Sequence, residues 1–175
     1  MRVPNTSLVL SALLLTAATT LDARAQIAPP RSAGTPYAAR NLPDRIVLTP
    51  GGDPTREMAV AYRTDATQRV SEAEIAVSVD GPTLSERAVK AIGANPPHAK
   101  ESANGSALYH QIRFTGLKPD TVYAYRLKGS AGWSEWLQFR TAAAEPKPFR
   151  FLYLGDIQNG ILTYASRVIR QAFHA

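Results

Sequence analysis

Leu117-Lys118-Pro119-Asp120-Thr121-Val122-Tyr123 is the stretch on which the reading of the fold turns. Pro119 and Asp120 are turn formers. The residues after them, Val122 to Leu127, read as a strand with Tyr123 and Tyr125 on one face. Short strands and turns continue on both sides of it. Upstream, Leu108, His110, Ile112 and Phe114 alternate. Ile75, Val77 and Val79 do the same and end in the turn Asp80-Gly81-Pro82. Met58, Val60 and Tyr62 alternate with Ala59 and Ala61, as in a strand buried on one face. Arg45 to Thr49 is a first strand, closed by Pro50-Gly51-Gly52-Asp53-Pro54. Leu84 to Ile92 is a weaker strand candidate, and Ala94 to Ser106 reads as a long loop. Downstream, Trp136 to Arg140 completes the set.

About seven strands in roughly 100 residues, with turn signals between them, make a mainly β chain with an immunoglobulin-like sandwich. The quoted stretch sharpens this. It resembles the tyrosine corner of fibronectin type III domains, in which a tyrosine at the start of the sixth strand returns its hydroxyl to the backbone upstream. Tyr123 takes that place. Packing alone must hold such a domain, because the chain has no cysteine. The same fact excludes thiolate metal sites. Trp133 and Trp136 read as residues of the core or of a sheet face, with ligand stacking as the other reading.

After Thr141 the pattern changes. Ala142 to Pro148 is a short, stiffened linker. Phe149-Arg150-Phe151-Leu152-Tyr153-Leu154 is then nearly continuous in apolar residues, as expected of a parallel strand covered on both faces. It runs into Gly155-Asp156-Ile157-Gln158-Asn159, and Ile161, Ala165, Val168, Ile169 and Ala172 follow at helical spacing. This predicts a β–loop–α unit, the start of an α/β domain. Ligands in such sheets bind beyond the carboxyl ends of the strands. Asp156 therefore reads as a metal-binding carboxylate or as a helix N-terminal cap. Gln158 reads as a neutral oxygen ligand or a hydrogen-bonding partner of bound water, and Asn159 as a cap.

Residues 1–25 read as a secretory signal. Arg2 precedes the apolar run Leu8 to Ala18, and Ala23-Arg24-Ala25 fits a small-x-small cleavage site. The run is too short to span a membrane, and no later segment is long enough. The expected address is secreted or periplasmic. Residues 26–41 are rich in Pro, Ala and Arg and read as an exposed linker. The formal charge is +6, and removal of the leader's net +1 leaves about +5. The basic residues are scattered, which makes a solvated surface rather than a nucleic-acid interface. The 3 histidines form no metal-ligand constellation in sequence, and no Ser-His-Asp arrangement, P-loop or dinucleotide fingerprint is present. Asn104-Gly105-Ser106 matches a glycosylation sequon and, as Asn-Gly, a turn.

Taken in order, these parts resemble the N-terminal portion of a purple acid phosphatase-like metallophosphoesterase over residues 42–173. Pro43 to Thr49 opens like that family's fibronectin-like domain, and Tyr62-Arg63-Thr64-Asp65 is similar to its "WRT" strand, with Tyr62 in place of Trp. Leu117 to Arg126, Trp133 to Trp136 and Phe139 to Thr141 look like its last two strands. Phe149 to Asn159 resembles the first catalytic block, and Ser166 to Arg170 the helix behind it. With the leader at 1–25 and linkers at 26–41 and 142–148, the resemblance implies a fibronectin-like domain at 42–141 and an incomplete metallophosphoesterase domain at 149–175. It implies phosphate ester substrates and a binuclear metal centre of Fe with Zn, Mn or Fe. Asp156 matches a first-block metal ligand, and Gln158 stands where many relatives carry a ligand histidine. The family's further Gly-Asp, Gly-Asn-His and histidine blocks do not occur before Ala175. The chain alone is therefore expected to be an inactive fragment that does not bind the metals. Its tail, a strand without sheet partners and a marginal helix, is expected to be loosely packed and to expose apolar surface.

Three functions compete. The first is the N-terminal part of an exported phosphatase. The second is a non-catalytic sandwich that binds or spaces. The third, a carbohydrate-binding sandwich, rests on the two tryptophans alone.

Overall fold

Met58, Val60 and Tyr62 of one strand and Leu108, His110, Ile112 and Phe114 of another all turn inward and are buried. Each set keeps the period of two that a half-buried strand requires. A computed structural model describes residues 37–155 and 164–173. In the first of these, nine strands form two antiparallel sheets. They are β1 (Asp44–Pro50), β2 (Met58–Thr64), β3 (Glu72–Val77), β4 (Val89–Ile92), β5 (His98–Ser102), β6 (Gly105–Phe114), β7 (Val122–Gly129), β8 (Gly132–Trp133) and β9 (Leu137–Arg140). One sheet has the order β1-β2-β6-β5. The other has the order β4-β3-β7, with β8 and β9 both paired to β7. This is the two-sheet arrangement of the immunoglobulin class.

The core lies between the sheets. Val60, Tyr62, Ile112 and Phe114 from one meet Ala73, Ile75, Tyr123, Tyr125 and Leu127 from the other. Phe139 of β9 joins them, with ring centroids 5.7 Å from Tyr123 and 5.8 Å from Tyr125. The tyrosine corner forms as expected. The hydroxyl of Tyr123 accepts a hydrogen bond from the Lys118 N–H at 2.9 Å. Leu117 beside it is buried.

Several expectations are corrected. His98–Ser102, placed in a loop, is strand β5, paired with β6 from His98↔Tyr109 to Ser102↔Gly105. Its side chains are all exposed, so it has no apolar alternation to betray it. Leu84–Arg87, read as strand, is a short helix, α1, and only Val89–Ile92 pairs with β3. Val77 is 41% exposed at the end of β3, and Val79 lies beyond it, so neither extends the core face of Ile75.

The largest correction concerns Phe149 to Leu154. This segment is not a strand and is not buried. Phe149, Phe151 and Tyr153 are 80%, 79% and 84% exposed. An apolar run becomes a strand only where a neighbour takes up its N–H and C=O groups, and none does so among the described residues. The β–loop–α unit is therefore not seen. The apolar exposure itself is what the sequence led us to expect of the tail. The second described unit is the helix α2 (Ser166–Phe173). Arg167 and Arg170 on it are exposed.

Candidate functional site

Asp156 and Gln158, the two candidate metal ligands, lie outside the described residues, as do the proposed cap Asn159 and the leader 1–25. Among the described residues, no three His, Cys, Asp or Glu side chains converge as a metal site. His110 cannot contribute a ligand without breaking its own network. One ring nitrogen is 2.8 Å from the Thr64 hydroxyl, and the other is 3.1 Å from that of Ser71. Its ring lies on Tyr62 at 4.4 Å with 10° between the planes. Burial pulls its pKa down to about 4, so the imidazole is neutral at pH 7. His98 stands exposed on the edge strand β5. The described residues therefore do not fit a binuclear centre.

The structure does show what Tyr62-Arg63-Thr64-Asp65 does. Each residue fastens a different part of the sandwich. The Tyr62 hydroxyl accepts from the Glu72 N–H at 3.2 Å and lies 3.3 Å from the Glu72 carbonyl, spanning the two sheets. The Arg63 guanidinium grips Asp44 through Nε at 2.7 Å and Nη2 at 2.6 Å, and donates to the Tyr37 carbonyl at 3.0 Å. Arg63 is buried, and the Asp44 carboxylate raises its pKa above the ordinary value. Thr64 holds His110. Asp65 accepts from the Thr67 N–H and hydroxyl and from the Ser130 hydroxyl. Of these, Arg63 holds the incoming segment 37–43 at one end of the sandwich, and the Asp65 N–H joins it by donating to the Arg40 carbonyl at 2.8 Å. The Asp44 clasp sits at a bulge, where β1 loses register with β2 between Asp44 and Val47 and Arg45 takes a φ of 49°.

The opposite end carries the exit of the chain. The Thr141 hydroxyl donates to the Lys118 carbonyl at 2.6 Å and accepts from the Thr121 N–H at 3.0 Å. The Ala142 N–H donates to the Pro54 carbonyl at 3.0 Å. Lys147 and Arg140 both pair with Asp120, and the Lys147 ammonium beside it holds its carboxyl below the usual carboxylate range. The linker thus leaves the sandwich along a fixed path, over a cleft of about 690 Å³ that reaches Met58 and Phe149.

A third cluster lies on the outer face of β7. The Arg126 guanidinium sits 4.9 Å over the Trp133 ring and 4.6 Å over that of Trp136, and bonds Glu74 at 2.6 Å. Lys128 stands 4.9 Å over Trp133. Both indoles therefore serve a sheet face, and a sugar stacking on them would have to compete with these cations. In the sequence the tryptophans stand out and Arg126 does not. Nor does it show the partners of Arg63 and His110, since Asp44, Thr64 and Ser71 are joined to them only by the folded register.

A sequence profile described as "Purple acid Phosphatase, N-terminal domain" matches residues 43–141. No curated protein matches the chain. Among solved structures, it is similar to the fn3 domain of human contactin 1, with 13% identity over 62% of this chain and 82% of that one and a TM-score of 0.42. It is also similar to a computationally redesigned β-sandwich protein, with 15% identity over 59% and 97% of the two chains and a TM-score of 0.36. Through its matched sandwich the chain belongs to the family of the purple acid phosphatase N-terminal domain.

Proposed function

We propose that this chain is the N-terminal portion of an exported phosphatase, in which the sandwich is a non-catalytic support and Phe149 to Asn159 is the first catalytic block. Purple acid phosphatases act on phosphate esters with a binuclear metal centre, and members are often secreted. The family match over residues 43–141 carries the reading. The exit path supports it: Thr141, Asp120 and Lys147 fix the direction in which the chain leaves the sandwich, as a support for a following domain requires. In this reading Asp156 is a metal ligand and Gln158 an oxygen donor beside it.

A sandwich that only spaces or binds is the second reading. It draws on the fastening roles of Arg63, Thr64, Asp65 and His110, which leave none of them for chemistry. Assay of the purified 175-residue chain with p-nitrophenyl phosphate and added Fe, Zn or Mn is expected to give no turnover above the metal-only blank. Turnover that disappears in Asp156→Ala would mean that this chain is itself the enzyme. Reading the gene past codon 175 separates the two functions. A frame that runs on into Gly-Asp and Gly-Asn-His blocks supports the phosphatase, and a stop codon leaves the module.

A further inference from the structure

Two strand edges of the sandwich open on one groove. β4 is the outer strand of its sheet and, among the described residues, pairs with β3 on one side only. β6 is covered by β5 only from Gly105 to Tyr109, so its edge toward that side is unpaired over Ile112–Phe114. Between them lies a groove of about 510 Å³. The buried core side chains Ile75, Phe114, Leu117 and Tyr123 close its floor. Val89 and Ile92 on β4 are 64% and 55% exposed along its lip. An unpaired edge with exposed apolar side chains is a template for another strand.

The charge around the groove has one sign. Arg87, Lys90 and Arg113 line it and no carboxylate does. Glu72 already neutralises Lys90 at 3.0 Å, and Glu57 stands 3.4 Å from Arg113. Arg87, on the exposed side of α1, has no carboxylate partner among the described residues. The edge asks for an extended backbone, the exposed Val89 and Ile92 for apolar residues beside them, and Arg87 for an acid. We infer that β4 and its groove receive, by strand addition, an extended segment of a partner protein that alternates apolar with acidic residues and sets one carboxylate on Arg87. The chain's own exposed segment Phe149 to Leu154 is apolar, but it carries Arg150 with Lys147 close by, the wrong sign for this groove. This surface is independent of the phosphatase reading.

The test uses the full chain and two blocked synthetic peptides, one alternating valine with glutamate and one alternating valine with lysine. A third peptide covers residues 147–154. The acidic peptide is expected to bind saturably, with amide shifts confined to β4, the end of β6 and the turn after it. Arg87→Glu should weaken it about tenfold and should let the lysine peptide bind instead. Arg87 is exposed, so this variant is expected to melt with the parent. Val89→Asp, at the lip, should also abolish acidic-peptide binding. The inference is overturned if the acidic peptide does not bind at millimolar concentration, or binds Arg87→Glu equally well. It is equally overturned if the lysine peptide binds the parent as tightly, or if the 147–154 peptide binds best, which would make the occupant a second copy of this chain.

Discussion

The Tyr123 hydroxyl is the single acceptor seen for the Lys118 N–H at the corner between the sheets. In Tyr123→Phe that donor stays in place and loses its partner, so the cost exceeds that of an ordinary exposed bond. The expected loss is about 1–2 kcal/mol, read from the urea midpoint at unchanged slope. His110 makes a second claim at this scale, through pH. It is 2% exposed, and burial pulls its folded pKa to about 4, below the 6.5 of an unperturbed histidine. Between those values the unfolded chain takes up a proton that the folded chain refuses. Stability from this residue is thus level above pH 6.5, falls as pH drops from 6.5 to 4, and is level again below. The full difference is about 3 kcal/mol. Urea midpoints across that window should fall more steeply for the parent than for His110→Gln, which has nothing to titrate there. Parallel curves would remove His110 as the cause.

At the scale of elements, the incoming segment 37–43 and the end of β7 meet without space to spare. A Cβ at Gly129 would stand 2.4 Å from the Asn41 carbonyl oxygen and 2.8 Å from Pro43 Cδ. Backbone cannot yield as a side-chain tip can, so in Gly129→Ala the segment must lift. The Ala131 N–H to Asn41 carbonyl bond at 3.0 Å goes with it. A cost of about 2 kcal/mol is expected, with faster hydrogen exchange and proteolysis at residues 37–43 while the β2–β6 pairing keeps its protection. The elements differ in how far the chain announces them. β2, β6 and β7 each bury alternate large apolar side chains, and that pattern is visible before folding. β5 buries nothing, and its clue was the Asn104-Gly105 turn, where Gly105 takes a φ of 88° that other residues avoid. Phe149 to Leu154 misled in the opposite way. Its composition suits a covered strand, but pairing depends on a neighbour that no local pattern reveals. Of the candidate site, the fastening roles of Arg63, Thr64 and His110 were invisible for the same reason. Each depends on a partner 19 to 46 residues away.

For the molecule as a whole, stability and apolar exposure belong to different parts of the chain. The energy of the sandwich sits between its sheets, where Phe114 is 2% exposed and lies 5.7 Å from Tyr125 and 6.3 Å from Phe139. Truncating it in Phe114→Ala should cost about 4 kcal/mol. Phe149 and Phe151 carry the same side chain, yet they touch chiefly each other, at 6.0 Å, and stand about four-fifths in water at 80% and 79% exposure. The double variant Phe149→Ser, Phe151→Ser removes two aromatic rings and should still shift the urea midpoint by less than about 0.5 kcal/mol. What it should change is association. Exposed contiguous apolar surface drives contact between molecules, so light scattering of the parent should rise with concentration more steeply than that of the double variant. A large loss of stability in the double variant would instead mean that the two rings are packed in solution. The exit segment would then be part of the sandwich rather than a surface it presents to another domain.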